Sequence, residues 1–97
     1  MKFIAWDTEK NEKLKEERGI SFEIALDIIF EEGLITVVDN PNRKKYQSQR
    51  LYIIGFHGYA YVIPCIEDEQ KIFLKTIYPS RKYTKIYIKE EHETHNI

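Results

Sequence analysis

The stretch from Lys75 to Tyr87, KTIYPSRKYTKIY, combines the residue types that proteins use to bind a polyanion. It contains four basic residues and three tyrosines, and no acidic residue. Arginine stays charged and presents a planar fork to phosphate oxygens, while lysine becomes a proton donor when burial or neighbouring cations lower its pKa. Tyrosine rings stack on unpaired bases, which contributes about 1–3 kcal/mol per base. This stretch is therefore the first candidate for a surface that binds an anionic polymer.

The charges of the chain are unevenly distributed, although its net charge is only −1. Residues 1–33 include five basic and nine acidic residues, a net of −4, whereas residues 34–66 include four basic and one acidic residue, a net of +3. Residues 71–89 include six basic residues and no acidic one. This asymmetry suits a protein that binds a nucleic acid or a charged partner, although a charge run alone is usually a solvated face.

The length and composition of the chain predict one soluble domain. With 97 residues, 42% of them apolar, the chain can bury about 60–65% of its unfolded surface. The single cysteine, Cys65, excludes an internal disulfide and a tetrahedral cysteine metal site, and its apolar neighbours predict a core residue. Charges interrupt every apolar run before it reaches membrane length, so we expect no signal peptide, no membrane contact and a cytoplasmic location. We expect one domain over residues 1–90, a frayed tail over residues 91–97, and no metal or cofactor.

Start and stop signals predict two helices after a short first strand, KFIAW. Asp7 or Thr8 caps the first helix, which is very polar and ends before Gly19. Ser21 caps the second helix, which ends at Gly33. The second helix is the predicted core helix, because its apolar residues recur on one face: Phe22, Ala25, Leu26, Ile29 and Phe30.

Four β-branched or aromatic runs follow the helices and predict strands: LITVVD, QRLYIIGF, YAYVIPCI and KIFLKTIY. His57-Gly58 can form a tight hairpin turn, and Pro64 predicts a bulge or a free edge because proline donates no backbone hydrogen bond. Short connections favour antiparallel pairing. We therefore expect an α+β fold: an antiparallel sheet of about four to five strands, two N-terminal helices packed on one face, and a short C-terminal helical turn.

The front of the chain, WDTEKNEKLKEERGISFEIA, resembles the opening of the BrnT-type toxins, which belong to the RelE-like group of bacterial toxin–antitoxin pairs. The family pattern there is Trp-Asp, then Lys-Asn, then His-Gly-Val/Ile-Ser-Phe-Glu and an alanine. The matching residues are Trp6, Asp7, Lys10, Asn11, Gly19, Ile20, Ser21, Phe22, Glu23 and Ala25. The chain departs from the pattern at Arg18, where the family usually has histidine.

Two later segments extend the resemblance, which covers about Phe3 to Tyr87. The strand from Arg50 to Gly55 is similar to a family strand that opens with arginine and ends in glycine. Ser80-Arg81-Lys82, followed by Thr84, is similar to the family segment Ser-Ala-Arg-Lys-Ala-Thr. The resemblance implies a RelE/BrnT-like fold.

The resemblance also implies a function: a toxin that acts as a metal-independent endoribonuclease and arrests translation. Such a toxin is held inactive by a cognate antitoxin with a DNA-binding domain, in a toxin–antitoxin hetero-oligomer. A basic, aromatic face suits an acidic amphipathic segment of that partner. The alternative is a noncatalytic module of the same fold that binds a nucleic acid or a protein.

Cleavage of RNA without a metal requires that the 2′-hydroxyl is aligned, the phosphate charge is stabilised and the leaving oxygen is protonated. The candidates for these catalytic tasks are Arg50, Lys75, Arg81 and Tyr87. The candidates for RNA binding are Trp6, Arg43, Lys44, Lys45, Lys82, Tyr83 and Lys85. The general base stays unassigned, since Gln49 precedes Arg50 where a glutamate is expected; Glu67 or Asp68 could serve.

Each candidate also has a structural interpretation. Arg50 can cross the sheet toward Arg81 or form an ion pair with the acidic helices, and Arg81 can be a solvated residue at a helix start. Lys75 can simply face outward from its strand. Tyr83 and Tyr87, four residues apart, can pack the last helical turn against the sheet. In the same way Trp6 can be a core residue and the loop cations, Arg43, Lys44 and Lys45, can be solubilising. His57 is expected to be exposed in its turn.

Overall fold

The protein is an α+β domain built on one mixed, open sheet. The structure, a computed structural model, describes residues 2–42, 44–45 and 49–89. The strands are β1 (Phe3–Trp6), β2 (Leu34–Asp39), β3 (Gln49–Phe56), β4 (Tyr59–Glu67), β5 (Lys71–Leu74) and β6 (Tyr78–Pro79). The helices are α1 (Thr8–Arg18), α2 (Phe22–Ile28) and α3 (Arg81–Thr84). A π-helical turn extends α2 over Ile29–Gly33, and another extends α3 over Lys85–Lys89.

The strands are arranged in the order β1-β5-β4-β3-β2, and β6 also pairs with β4. The four pairings among β2 to β6 are antiparallel, as the short connections predict. The expectation of a fully antiparallel sheet is wrong for β1, which pairs parallel with β5. The chain reaches this edge twice, first as β1 before the helices and again as β5, and the register between them is Phe3 to Lys71.

The alternation of side chains along β3 and β4 divides the interior into two cores. The first core contains Ile54 and Ile63 and packs against α1 and α2. The second core contains Ile53 and Val62, which are their direct neighbours in sequence. It packs against the segment that contains α3. Because adjacent strand residues face opposite sides, each face of the central hairpin buries its own apolar set.

Side-chain caps determine where the N-terminal helices start. The Asp7 carboxylate accepts the N–H of Lys10 at 3.1 Å, and the Ser21 hydroxyl accepts the N–H of Ile24 at 3.1 Å. Gly19 ends α1 with a φ of 67°, a conformation that costs little only for glycine. These three residues are the boundaries that the sequence predicts.

Gly33 ends the turn after α2 because a side chain would not fit there. A Cβ at this position would lie 2.3 Å from Cγ2 and 2.8 Å from the carbonyl oxygen of Ile28. The close approach lets the chain reverse from the helix directly into β2.

The predicted last strand is split in two, β5 and β6, opposite Pro64. The carbonyl of Pro64 accepts the N–H of Lys75 at 2.8 Å, so this carbonyl points toward the end of β5. Proline has no N–H to return a second bond, and residues 75–77 leave the regular ladder before β6 resumes it at Tyr78. The interruption turns Ile77 into the first core, where it is fully buried.

Thr84 fastens α3 to the start of β4. Its hydroxyl accepts the N–H of Ala60 at 2.8 Å and donates to the carbonyl of Ser80 at 2.7 Å. The Ser80 hydroxyl accepts the N–H of Tyr83 at 3.1 Å and caps the helix. Three hydrogen bonds thus hold a helix of one turn, which would be unstable in isolation.

Candidate nucleic-acid interface

Two adjoining depressions meet at Lys75 and form a cleft, which we call the lysine cleft. The first, of about 370 Å³, is lined by Lys10, Asn40, Gln49, Pro64, Lys75, Thr76 and Tyr78. The second, of about 410 Å³, is lined by Asp7, Glu9, Lys10, Lys13, Phe73 and Lys75. Lys10 and Lys75 line both depressions. The lining of the first includes two cations and no carboxylate, so an anionic ligand would meet no like charge there.

Lys75 lies at the end of β5 on a fixed backbone, since its N–H is bonded to Pro64. Its side chain is exposed, and its ammonium lies 5.9 Å from the ring centroid of Phe73, as does that of Lys71. Cation–π contacts at exposed sites are worth about 0.5–1 kcal/mol. The two lysines therefore concentrate positive charge beside an aromatic ring. Lys75 also faces outward, which is the structural alternative stated for it above.

Amide and hydroxyl groups complete the cleft. Asn40 donates from Nδ2 to Oε1 of Gln49 at 2.6 Å. The side-chain amide of Gln49 also has two N–H donors, which it can offer to a ligand. Burial, and then the neighbouring Tyr83, raise the pKa of the Tyr78 hydroxyl. Tyr78 therefore stays protonated at neutral pH and can donate a hydrogen bond to an anion.

Tyr83 and Tyr87 pack against the sheet. Their rings stack with centroids 6.0 Å apart and planes inclined by 18°, and both contact the second core. The two tyrosines thus pack the last helical turn against the sheet, and Tyr87 contacts the second core rather than lining the lysine cleft. Tyr78, which the sequence analysis did not single out, is the tyrosine that lines it.

Three cations lie on the exposed side of the C-terminal segment. Arg81 and Lys82 are exposed residues in the first turn of α3, and Lys85 follows in the π-helical turn. The ammonium of Lys82 lies 5.3 Å from the ring centroid of Tyr83. None of the three lines the lysine cleft. We call them the cationic strip, which runs from α3 into the π-helical turn that follows it.

Arg50 lies in a different, polar cleft and forms an ion pair there. Its Nε is 3.8 Å from Oδ1 of Asp39 in β2, a residue outside the acidic helices. By alternation along β3, Arg50 shares a face with Tyr52, which packs against the first core. This cleft of about 460 Å³ is lined by Lys2, Asp39, Gln49, Arg50, Glu67, Asp68 and Glu69.

The structure does not bring Arg50 and Arg81 together. Arg50 pairs in register with Cys65, whereas Pro79, just before the helix of Arg81, pairs with Tyr61. These two positions of β4, Tyr61 and Cys65, are four residue steps apart, which corresponds to about 13 Å of strand. The two arginines also belong to opposite faces of the sheet, since α3 packs on the second core. One phosphate cannot bridge them in this arrangement.

The two carboxylates considered as general bases lie near Arg50 and have other partners. Glu67 forms an ion pair with Lys2. Asp68 accepts the backbone N–H groups of Gln70 and Lys71, both at 2.8 Å, and these bonds lower its pKa. Asp68 is therefore a turn residue, and neither carboxylate lines the lysine cleft.

Trp6 and the described loop lysines are not part of the lysine cleft. The Trp6 ring stacks on Phe22 with centroids 5.4 Å apart and contacts the first core. Lys44 and Lys45 are exposed in the loop after β2, and Arg43 lies outside the described residues. His57 is exposed in the β3–β4 turn, with a φ of 52°, and its ring stacks on Phe56.

Most polar residues of the front segment have structural partners. Asn11 accepts the N–H of Phe22 at 2.8 Å and donates to Glu23 at 2.7 Å, and it is only 3% exposed. Arg18, which stands where the family pattern has histidine, donates to the carbonyl of Ile77. These bonds join α1 to α2 and to the segment between β5 and β6. The front segment therefore forms the α1–α2 junction, which positions Lys10 beside the other residues of the cleft.

The cleft residues that the sequence analysis missed come from four separate segments. Lys10, Asn40, Gln49 and Thr76 are far apart in sequence, and the folded chain brings them together from α1, from the end of β2, from β3 and from the segment after β5. The one usable signal was the alternation along QRLYIIGF, which places Gln49 on the face of Leu51 and Ile53.

Comparison with protein-family models, with curated proteins and with solved structures gives no match to this chain. Within the described residues, no group of three or more His, Cys, Asp or Glu side chains is arranged to hold a metal ion. Within the same residues, no helix has both the length and the apolar character needed to cross a bilayer.

Proposed function

We propose that this chain is a BrnT-type toxin of a toxin–antitoxin pair, and that it cleaves RNA in the cytoplasm without a metal. The observation that carries the proposal is the lysine cleft, where Lys10, Lys75 and Tyr78 line a first depression that has no carboxylate in its lining. Two cations that converge from distant segments, the half-buried Lys10 and the exposed Lys75, suit the charge of a phosphodiester. The collinear resemblance over Phe3 to Tyr87 supports the assignment to this toxin group.

In the proposed reaction the 2′-hydroxyl of one nucleotide attacks the adjacent phosphorus. The bond to the 5′-oxygen of the next nucleotide breaks, which leaves a 2′,3′-cyclic phosphate and a 5′-hydroxyl. Lys10 and Lys75 stabilise the charge that develops on the phosphate oxygens, and Lys75 protonates the leaving 5′-oxygen. Tyr78 donates a hydrogen bond to a phosphate oxygen.

Glu9 is the proposed general base. It lines the second depression of the lysine cleft together with Lys10 and Lys75, whereas the neighbouring carboxylate of Asp7 already caps α1. A carboxylate in this position can take the proton of the 2′-hydroxyl. The departure from the family pattern at Gln49 is thereby accounted for, because the base comes from α1 and not from the residue before Arg50.

The cationic strip of Arg81, Lys82 and Lys85 would extend the RNA path outside the cleft through phosphate contacts. In the producing cell an antitoxin covers the same cations. The partner we expect is a small protein with a DNA-binding domain and an acidic amphipathic segment, because acidic side chains complement the lysines and apolar ones cover Phe73.

The test compares growth arrest and RNA cleavage in matched lysine variants. Induced expression of the wild-type chain should stop growth, and the purified chain should cut single-stranded RNA in the presence of EDTA, leaving cyclic phosphate ends. Lys75→Ala and Lys10→Ala should each slow cleavage by about 100-fold, the scale of a lost charge or proton donor in a transition state. Lys15→Ala is the matched control, because Lys15 is on the same helix as Lys10 and is paired with Glu12. Full toxicity of both cleft variants would refute the mechanism.

A noncatalytic RNA- or protein-binding module of the same fold is the second candidate. The separation of Arg50 from Arg81 favours it, because the two arginines cannot act on one phosphate. This candidate predicts RNA binding that depends on Lys10 and Lys75 without any cyclic phosphate product. Analysis of the RNA ends distinguishes the two functions in one experiment.

A further inference from the structure

A small apolar cavity opens between α2 and the sheet, on the face opposite the lysine cleft. Its volume is about 160 Å³, and its walls include Leu26, Ile29 and Phe30 from the helical side and Ile63 and Cys65 from β4. Pro64, which lines the lysine cleft, lies between these two β4 residues and points to the other face. The cavity is therefore separate from the proposed RNA site.

The aromatic ring at this cavity is left in solvent. Phe30 is 74% exposed, although it lines the cavity wall. Burial of a phenylalanine side chain contributes about 1.5–3 kcal/mol, so an uncovered ring beside an unfilled apolar cavity is a surface that gains from contact with another apolar group. Isolated exposed apolar residues are ordinary; an exposed ring that continues into a cavity is the feature of a docking site.

The surroundings of the cavity are acidic. From Gly19 to Asn42 the chain has five acidic residues and no lysine or arginine. Asp27 and Glu31 directly follow the wall residues Leu26 and Phe30 in sequence, and both are exposed. On the sheet side, the cations Lys2 and Arg50 lie near the wall residue Tyr52, and each is in an ion pair with a carboxylate. A surface whose net charge is negative attracts a ligand of the opposite sign and disfavours the same face of a second copy.

We propose that this cavity is a docking site for a cationic amphipathic segment of a partner protein. One bulky apolar side chain of the segment fills the cavity and covers Phe30, and its lysines or arginines lie against Asp27 and Glu31. The size fits, since an apolar protein cavity of about 150 Å³ holds a benzene ring. The site does not depend on the RNA function proposed above, and its occupant has the opposite charge to the segment expected in the lysine cleft.

The experiment selects random displayed peptides of about twelve residues on the folded wild-type chain, a length that gives a short helix or strand its anchors. We expect the enriched peptides to combine one Phe, Leu, Trp or Met with at least two Lys or Arg residues. Synthetic copies should lose binding by about tenfold or more when the bulky residue is replaced with Ala or the cations with Glu. Enrichment of neutral or acidic peptides, or of none, would overturn the proposal.

Two pairs of protein variants locate the binding. Cys65→Leu fills the cavity with a longer apolar side chain and should weaken peptide binding by about tenfold or more, whereas Cys65→Ala should retain it. Asp27→Lys combined with Glu31→Lys should weaken it similarly, with Glu16→Lys combined with Glu17→Lys as the control of equal charge on α1. Peptide binding that ignores both test variants disproves the assignment.

Methyl NMR of the wild-type chain keeps the test decisive if Cys65→Leu does not fold. The peptide should shift the methyl signals of Leu26 and Ile63, and benzene added alone should shift the same signals. Benzene shifts without any cationic peptide would show a cavity for small apolar molecules only, and would overturn the proposed partner. Peptide shifts confined to residues around Lys75 would do the same.

Discussion

The front segment (Trp6 to Ala25) and the rear segment (Lys75 to Tyr87) of the chain use their polar side chains in different ways. In the front, Asn11 and Ser21 are buried and bonded to backbone groups of the next helix. In the rear, the hydroxyls of Ser80 and Thr84 also accept backbone N–H groups. The cations of the same segment, Lys75, Arg81 and Lys82, are exposed. The front residues therefore build the fold of this chain, whereas its proposed function depends on the cations of the rear and on the residues that the fold brings beside them.

The largest effect we expect comes from Asn11→Ala in the front segment. The change leaves the buried N–H of Phe22 without its acceptor and removes the donor to Glu23. An unsatisfied buried donor costs about 1–3 kcal/mol, so the free energy of unfolding should fall by about 2–3 kcal/mol in urea denaturation. Lys13→Ala, an exposed residue of the same helix, should change it by less than about 0.5 kcal/mol. Equal stability of the two variants would mean that the α1–α2 junction is held by packing alone.

The next effect concerns the structural part of the rear segment, Thr84. Thr84→Val keeps the shape of the side chain but removes the hydroxyl that bonds to Ala60 and Ser80. We expect a loss of about 1–2 kcal/mol in the same measurement. Thr84→Ser retains the hydroxyl and should recover most of the stability. A Val variant as stable as the wild type would contradict the role of this hydroxyl in holding α3.

The elements of the fold could be predicted from the sequence because their signals are local. Asp7, Gly19 and Ser21 mark the helix ends, and the β-branched runs mark β2, β3 and β4. The parallel pairing of β1 with β5 at the edge of the sheet could not be predicted, since it depends on contacts between residues as distant in sequence as Phe3 and Lys71. The split of the last strand depends on a proline in its neighbour, Pro64, which only the register reveals.

The candidate site was predictable in composition but not in arrangement. Lys75 was identified by residue type, and it lines the lysine cleft. The expectation that Arg50 lies close to Arg81 was wrong. The sequence spacing of the two arginines reveals neither the register of β3 and β4 nor the sheet face on which each arginine lies. Tyr78 was passed over because a strand-end tyrosine has no sequence signal that separates a ligand contact from packing.

The cations of the lysine cleft should affect RNA binding and leave stability unchanged, which is the reverse of Asn11. Lys75→Ala should reduce the slope of log affinity against log salt by about 0.7 for a single-stranded RNA, the value for one lost phosphate contact. Its free energy of unfolding should stay within about 0.5 kcal/mol of the wild type. Fluorescence anisotropy over a series of salt concentrations measures the slope, with Lys15→Ala as the control. An unchanged slope would remove Lys75 from the RNA path.

The smallest effect tests whether the front segment responds to pH as a structural network should. Hydrogen bonding from Asn11 is the main reason that the pKa of Glu23 lies below its usual value in the folded chain. A carboxyl whose pKa is lower in the folded than in the unfolded state adds stability above the unfolded pKa, and this stability is lost as pH falls through the folded pKa. Glu23→Gln keeps an oxygen that can accept from Asn11 but cannot titrate, so its urea midpoint should fall less than that of the wild type between neutral and acidic pH. Because Glu23 is exposed, the difference should be modest, and Lys75→Ala should follow the wild-type profile. Parallel pH profiles for Glu23→Gln and the wild type would show that the bond to Asn11 has no electrostatic part in joining α1 to α2.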